Sequence, residues 1–524
     1  MTAGSWLRRD FLQMVGAFGA YGAANAPRAQ ADSGQPASIR PVYNAIKIRE
    51  NAGFPSSEPD GPRYGHNPGI ESDATLADRG SLSIESEADA KSLAVAGDGS
   101  RKNPYLIKNI RNVDSNESFA FLWDDPSADD DYHIQLENAL FRNHSGGEIR
   151  HNGSGCLKLR QCVLSSLGTA LIHENGSCTA SNTEFAGSAN NSIRIDGGED
   201  IQIRDCLFSA RLGPRSTRAI DIISLSSIDI RYSRIEGPRI AGIELRSQDD
   251  VQVIVKNVGI YGIGWGIRDE PNNAGSFGKG STFRHLYIAD TGRNAIRVTG
   301  ANAGNYEIAY STFEDAGQGG KARTVVLNVD NYDNRPIGWN VHHCKLARSD
   351  GTDEPSNEML ESFYGSDIHF HHNWVDGAPE DCYEHAFPVK NVSVTHSVGD
   401  NVSGELVDIF KSGNPDAEQT THRSINGQFH HIYGDSGREL IRIGGVDDCF
   451  VHSIYGKVTS NKTHAIRLAG VTGSTIIGPL PTHDNTGKGT LRIDKPYLNT
   501  ILYRRDGEWV TGGDVPTSWV DLDS

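Results

Sequence analysis

The chain has 524 residues, of which 37% are hydrophobic, and it carries a formal net charge of −17 at pH 7. This length accommodates two or three ordinary domains or one elongated repeat domain. The acidic balance argues against nucleic acid or an anionic membrane as the main partner, since both need a basic surface. A polyanionic substrate would need local basic groups or a bridging cation.

The first 31 residues are typical of an export signal. Arg8 and Arg9 precede the modest apolar run "MVGAFGAYGAANA", and small residues recur at 24–26 and 29–31. This pattern resembles a bacterial twin-arginine signal and predicts an exported protein, either periplasmic or extracellular. No segment reaches about 18 consecutive apolar residues, so no membrane span is expected.

The cysteines are consistent with export of an already folded protein, because such a protein is expected to fold without forming disulfides. The chain has 7 of them, scattered and without a CxxC pair. A zinc knuckle or redox motif is therefore not indicated, and most are expected to be small buried apolar side chains.

A repeat dominates the chain after a Ser-, Pro- and Gly-rich segment at 32–96, which is predicted to be a linker or a partly disordered N-terminal wrap. From residue 97, units of about 25 residues begin with an apolar residue, two polar or ring residues and a small polar residue. Examples are "IRDCLF" from Ile203 and "FHHNWV" from Phe370, and each unit carries a second short strand such as "IRI" from Ile193. Period-2 alternation with glycine-rich corners predicts an all-β fold of stacked parallel coils.

This repeat resembles the right-handed parallel β-helix proteins, the pectin-lyase-like superfamily, over residues 97–475. The resemblance implies a solenoid of about 12–13 coils. A propeller is the alternative, but it needs four strands per roughly 40–45 residues and tight hairpins, which are scarce inside the repeat. Residues 476–524 lose the register and are predicted to form a C-terminal cap, in which "LYRRDGEWV" (502–510) makes a hairpin.

Stacked coils place equivalent residues about 4.8 Å apart in columns. One predicted column holds small polar side chains that fill a corner, including Asn182 and Asn373. Beside it, rings occupy two neighbouring columns: Tyr310, His343, His372, His396 and His431 in one, and His342, His371, His430 and His452 in the other. A single column is a poor metal site because a line of ligands cannot form a tetrahedron. The rings are either an inert stack or a substrate-facing wall with one working histidine, for which His371 is the candidate.

A third column consists of the middle residues of the second strands. Its predicted members are Arg194, Asp221, Glu244, Arg268, Arg297, Asn328, Glu361, Glu384, Asp408, Arg442 and Arg467. Their apolar neighbours point inward, so these side chains are expected to face outward. Three acids at consecutive levels, Glu361, Glu384 and Asp408, repel one another at about 5 Å, which raises at least one pKa. Such a cluster indicates a bound cation, shared protons or catalysis, the alternative being a solvated face.

The resemblance implies two chemistries for the acid column. In a glycoside hydrolase, one carboxyl protonates the leaving oxygen while another activates water or attacks the sugar. In a uronate lyase, Glu361, Glu384 and Asp408 would hold Ca²⁺ against the substrate carboxylate, and Lys411 or Arg442 would serve as the base. Calcium is thus the only cofactor indicated.

The predicted function is cleavage of a polysaccharide, as a lyase or hydrolase, by an exported enzyme. The long segments 347–359 and 412–427 flank the acids and are expected to form cleft walls. Two alternatives stay open: a glycan-binding or adhesin-like β-helix protein without catalysis, which could be oligomeric, and a calcium-stabilised structural module.

Overall fold

The computed structural model of the protein describes residues 76–521 apart from the segments 114–116, 127–131, 210–216, 225–226, 238–239, 247–250, 270–279, 299–302, 318–322, 328–336, 349–357, 364, 387–388, 410–423, 461–462, 474, 478–490, 494–499, 506–507 and 512–519. The predicted export signal, most of the predicted linker, most of the two predicted cleft-forming loops and Lys411 lie outside the described residues.

Parallel strands form two ladders that run the length of the described chain. The first ladder contains Ala77–Asp78, Tyr105–Val113, Ile134–Arg142, Cys156–Arg160, Ser177–Ser181, Asp200–Arg204, Ser227–Arg231, Gln252–Tyr261, Thr282–Ala289, Ala303–Ala309, Ile337–His342, Ser366–His371, Lys390–Val402, Ser424–Ser436, Val446–Val458, Thr475–Ile477 and Thr500–Arg505. Short strands follow the corner in many coils and extend the same sheet: Val163–Ser166, Glu184–Ser188, Leu207–Phe208, Arg234–Glu236, Thr312–Glu314, Lys345–Ala347 and Trp374–Asp376.

The second ladder lies on another side of each coil. It contains Leu82–Ile84, Phe119–Trp123, Gly147–His151, Thr169–His173, Asn191–Ile195, Arg218–Ile222, Ala241–Leu245, Trp265–Asp269, Ile296–Val298, Val325–Leu327, Leu360–Phe363, Tyr383–Ala386, Val407–Ile409, Ile441–Gly444, Ile466–Ala469, Leu491–Ile493 and Val520–Asp521. Its strands pair parallel to the equivalent strands of the coils before and after, as in Ile193↔Ile220.

The predicted all-β parallel β-helix is confirmed. Each recognised repeat corresponds to one rung of the first ladder, and its first apolar residue stacks on its equivalent one coil away, as in Ile203↔Ile230 and Val341↔Phe370. These residues are fully buried and form one continuous core. Alternate residues of each strand therefore enter the core, which explains the period-2 pattern.

The solenoid begins earlier than the predicted boundary at residue 97. Ala77 pairs with Ile110 and Leu82 pairs with Phe121, so residues 76–96 supply a first rung. The helix Glu87–Leu93 follows, with the Ser86 hydroxyl accepting the backbone N–H of Asp89 as an N-cap. Two- and three-residue strands between serines and acids give too little hydrophobic signal to be recognised. Within the described residues, no helix is long and apolar enough to cross a membrane.

The predicted C-terminal hairpin is confirmed by its register. Thr500–Arg505 pairs antiparallel with Glu508–Thr511 through Tyr503↔Val510 and Arg505↔Glu508. The first hairpin strand also continues the first ladder through Thr475↔Thr500. An antiparallel strand therefore lies at the end of the parallel sheet, where an edge needs protection.

One corner of each coil is turned by a residue in the left-handed region. Its members have φ between 47° and 54°: Gln161, Asn182, Asp205, Tyr232, His285, Tyr310, His343, His372, His396, His431 and Ser453. The predicted ring column is therefore this corner column. The prediction that Asn182 belongs to the small polar column was wrong by one residue. Asn182 is a corner residue, and the buried Thr183 occupies the small polar position.

The small polar column fills the adjacent corner with hydrogen bonds between coils. The Asn373 side chain accepts the backbone N–H of Cys344 at 3.0 Å and donates to the Val341 carbonyl at 2.9 Å. The Ser397 hydroxyl accepts the N–H of Asn373 in turn. The predicted structural role is confirmed, and all seven cysteines are buried and free, as expected.

We expect Asn373→Ala to lower the free energy of unfolding by about 1–3 kcal/mol, because it leaves a buried N–H and a buried carbonyl without partners. Gln202→Ala, on the outer face of an upstream strand, should change it by less than about 0.5 kcal/mol. Urea unfolding measures both. Equal stability of the two variants would contradict the structural role of Asn373.

Candidate functional site

The three predicted acids do stack on consecutive rungs of the second ladder. Glu361 pairs with Glu384, and Glu384 with Asp408. Arg442 follows on the next rung, as expected. The prediction that Asn328 belongs to this column was wrong. Val326 occupies that position, because it pairs with Arg297 on one side and with Glu361 on the other.

These acids lie on the outer side of the strands but are buried, so the alternative of a solvated face is wrong. Glu361, Glu384 and Asp408 are 0%, 7% and 2% exposed. Arg323 forms an ion pair with Glu361 and contacts Glu358 at 2.8 Å. The column is therefore the centre of a packed polar network on the outer side of the strands.

Arg442 closes the other end of this network. It forms ion pairs with Asp408 and, at 2.6 Å, with Glu405. Burial opposes its charge, but the Asp408 and Glu405 carboxylates outweigh burial and raise the pKa of Arg442. The predicted role of Arg442 as a base conflicts with this environment, because its guanidinium stays protonated at neutral pH.

The two glutamates of the acid column have raised pKa values, so protonation reduces the negative charge of the column. Burial, followed by the charge of Glu358, raises the pKa of Glu361 well above its usual range. Burial, followed by the charges of Glu361 and Glu358, does the same to the pKa of Glu384. Oxygens of the two side chains lie within 4.8 Å of each other, where two charged carboxylates repel, and this favours a proton on one of them.

The predicted calcium ligands are divided between two environments. Oxygens of Glu358, Glu361 and Glu384 lie within 4.8 Å of one another, whereas Asp408 is held by Arg442. Ca²⁺ needs six to eight oxygen ligands. The Arg323 guanidinium already lies against two of the three clustered acids. The arrangement therefore suits proton sharing better than calcium.

A groove of 690 Å³ lies elsewhere, on the outer face of the first ladder. Its main column contains the polar residues Thr282, Glu307, Asn340, His369, Ser393 and Gln428 at successive rungs. A second column two residues on contributes His371, Thr395 and His430, and the buried rings of Tyr306 and Trp339 lie below. The groove thus runs along the solenoid across several coils.

The groove presents hydrogen-bonding groups of both kinds at neutral pH. Burial opposes ionisation of Glu307, but hydrogen bonds from Arg284 and His342 outweigh it and keep the pKa of Glu307 below its usual range. Burial and the neighbouring rings lower the pKa of His371 to about 3, so this imidazole is neutral. Amides and hydroxyls fill the positions between them. This lining matches a chain of hydroxyl groups, which both donate and accept.

The histidine columns are confirmed as ring stacks, and they are two rings wide. His342 stacks on His371 at 4.7 Å, and His343 stacks on His372 at 4.8 Å. Within a rung, the Nδ1 atoms of His342 and His343 lie 2.9 Å apart. Burial lowers the pKa of His343 to about 4, so the rings stack in neutral form.

The predicted site residues therefore fall into two places. Glu361, Glu384, Asp408 and Arg442 come together on the second ladder, while His371 lines the groove on the first ladder. Sequence reasoning missed the main groove column. Its signal was present, because each member directly precedes the first apolar residue of a repeat, as in "NV" at Asn340 and "HF" at His369.

The comparisons with known proteins agree with this geometry. The model of the right-handed beta helix region matches residues 112–260. Together with the parallel register, this match confirms the predicted resemblance to right-handed parallel β-helix proteins. No curated protein matches the chain.

The neutral histidine stacks predict a loss of stability in acid. A depressed folded pKa stabilises the protein above the unfolded value near 6.5, and this contribution is lost as the pH falls toward the folded value. Burial and neighbouring rings lower the pKa of His396 to about 3. We expect the stability advantage of the wild type over His396→Asn to shrink between pH 6.5 and 4, by about 1.4 kcal/mol per pKa unit at most.

Denaturant unfolding at several pH values measures this difference. Asparagine tolerates the left-handed corner, so the backbone should be retained. Tyr232→Asn, at an equivalent corner away from the histidines, should differ from the wild type by an amount that does not change with pH. A pH-independent difference for His396→Asn would refute the neutral stack.

The acid column predicts the opposite trend. A raised folded pKa stabilises below the unfolded value near 4.5, and the contribution is lost as the pH rises through the folded value. The glutamine in Glu384→Gln is always neutral. The free energy of unfolding of this variant, relative to that of the wild type, should therefore increase between pH 4.5 and 8 by about 1 kcal/mol or more. The exposed Glu199→Gln should show no such gain in the same thermal or denaturant unfolding series. A gain of equal size at all pH values would contradict proton sharing by Glu384.

Proposed function

We propose that this protein is an exported polysaccharide-binding β-helix protein whose ligand lies along the groove of the first ladder. The observation that carries the proposal is the groove itself, which spans the rungs from Thr282 to Gln428 with polar side chains at every level. Export is supported by the twin-arginine pattern at Arg8 and Arg9.

An extended polymer fits this groove because the protein repeats along its own axis. Successive rungs lie about 4.8 Å apart, so the lining offers hydrogen-bonding groups at regular intervals. Asn340, Ser393 and Gln428 supply neutral donors and acceptors. The Nδ1 atom of His369 lies 2.9 Å from the Ser393 hydroxyl and donates or accepts a hydrogen bond there. Neutral groups outnumber the carboxylates of Glu307 and Asp367, which favours an uncharged glycan over a uronate polymer.

Cleavage of the glycosidic bond is the second candidate function, and one observation favours it. Glu361 and Glu384 are neighbouring carboxyls whose pKa values are both raised by burial and by nearby acids, and glycoside hydrolysis uses a pair of carboxyl groups. Among the described residues that line the groove, the carboxylates are Glu307 and Asp367, and hydrogen bonds from Arg284 and His342 lower the pKa of Glu307 despite burial. Hydrolysis or elimination at the acid column further requires a path by which the polymer reaches buried carboxyls.

Binding is tested by affinity electrophoresis and calorimetry with a panel of soluble neutral and uronic polysaccharides. We expect a neutral member to bind, and Gln428→Ala to weaken it about 3- to 10-fold, the loss of one hydrogen bond. Gln202→Ala is the matched control, because Gln202 occupies the same column upstream of the groove, and it should bind like the wild type. Binding that is absent, or equally weak in both variants, would refute the groove.

Reducing-end release and absorbance near 235 nm test cleavage on the same panel. The triple variant Glu361→Gln/Glu384→Gln/Asp408→Asn should abolish turnover and keep binding if the acid column is catalytic. Full turnover by the triple variant would remove the acids, and therefore the predicted lyase or hydrolase site, from the mechanism.

A further inference from the structure

Two columns of histidine rings run side by side, and their geometry differs from that of a single line. The planes of His342 and His343 meet at 84°, and those of His343 and His371 at 86°. Nitrogen atoms of these three residues lie within 4.8 Å of one another. A single column cannot surround an ion, but a second column at right angles brings donors from a second direction.

We propose that a divalent transition-metal ion, such as Zn²⁺ or Cu²⁺, binds between these columns at His342, His343 and His371. Imidazole nitrogens are donors that both metals accept readily. Three protein ligands leave a tetrahedral ion one position for water. This site is independent of the proposed glycan binding, although His371 also lines the groove and so gives the ion a route from solvent.

The hydrogen bonds around His342 prepare its ring as a ligand. Its Nε2 lies 2.8 Å from a carboxylate oxygen of Glu307. A carboxylate accepts, so the proton stays on Nε2 and the lone pair of Nδ1 is free to bind an ion. A carboxylate behind the second nitrogen is the usual partner of a metal-binding histidine, and it also raises the basicity of the ligand.

The Nδ1 atom of His343 needs only a small rearrangement to bind the same ion. Without an ion, the Nδ1 of His343 donates a hydrogen to the Nδ1 of His342, 2.9 Å away. On metal binding, His343 moves that proton to its own Nε2, so both Nδ1 lone pairs face the ion and no net proton is released. Bonds of about 2.05 Å to a tetrahedral ion separate two nitrogens by about 3.3 Å, which a slight rotation of the rings provides.

A related arrangement recurs further along the solenoid. His396, His430 and His431 also place nitrogens within 4.8 Å, with the Nδ1 atoms of His430 and His431 2.9 Å apart. Here the third ring, His396, comes from the corner column of the preceding rung, where it stacks on His431. Two such groups predict two ions per chain.

Calorimetric titration of metal-free, full-length protein with Zn²⁺ tests the proposal. We expect two ions per chain with a Kd of about 1 µM or tighter. Cu²⁺ added to the same protein should give an electron paramagnetic resonance spectrum with nitrogen ligands. A Kd weaker than about 100 µM would overturn the site.

Variants at the left-handed corner give the matched comparison. His343→Asn should reduce the stoichiometry from two to one, because asparagine tolerates the corner but supplies no imidazole. His285→Asn changes a corner of the same column whose neighbour is Arg284, and it should keep both ions. Equal loss in the two variants would refute the site, and His371→Gln serves if His343→Asn does not fold.

Discussion

The parallel register is the constraint on which the rest of the structure depends. Each rung donates and accepts backbone hydrogen bonds with the coil before and the coil after, so equivalent residues lie about 4.8 Å apart. Phe370 therefore stacks between Val341 and Val394, and Glu384 between Glu361 and Asp408. A choice of residue type at one repeat position becomes a continuous column on the molecule.

Ionisable side chains of one type repel one another when they are charged and stacked in a column. This chain reduces the repulsion in three ways. The histidines remain neutral because burial lowers the pKa of rings such as His371. Glu361 and Glu384 favour the protonated form because burial and the charges of neighbouring acids raise the pKa of each carboxyl. Further upstream, Asp221 and Glu244 are neighbours on the second ladder, and arginines such as Arg246 and Arg268 neutralise them.

The sequence was sufficient to predict the fold and the stacking of the acids, because both depend on the repeat spacing. It was insufficient to predict burial. Outward-pointing positions such as Glu361 are covered by Arg323, which comes from the turn before the strand of the previous coil. Contacts of this kind link residues from different coils whose order in the chain carries no periodic signal. The Asn182 error was a register slip of one residue in a run of three polar residues, 181–183. The Asn328 error was a slip of two residues, because the apolar Val326 occupies the position where a polar residue was expected.

The groove and the acid column divide the predicted site into a surface that contacts solvent and a network that does not. The proposed binding along the first ladder would use the regular polar column from Thr282 to Gln428, which depends only on the outer face of the sheet. The histidine columns border this groove and remain uncharged beside it.

Cysteine crosslinking tests the register most directly. The variant Asn340→Cys/His369→Cys places two thiols on adjacent rungs of the groove column. Adjacent rungs bring the Cα atoms within the 4.4–6.8 Å that a disulfide spans, so mild oxidation should join the two residues quantitatively. The offset pair Asn340→Cys/Asp367→Cys should remain largely reduced. Efficient bonding of the offset pair, together with failure of the aligned pair, would contradict the stacked columns from which the groove, the acids and the histidine sites all follow.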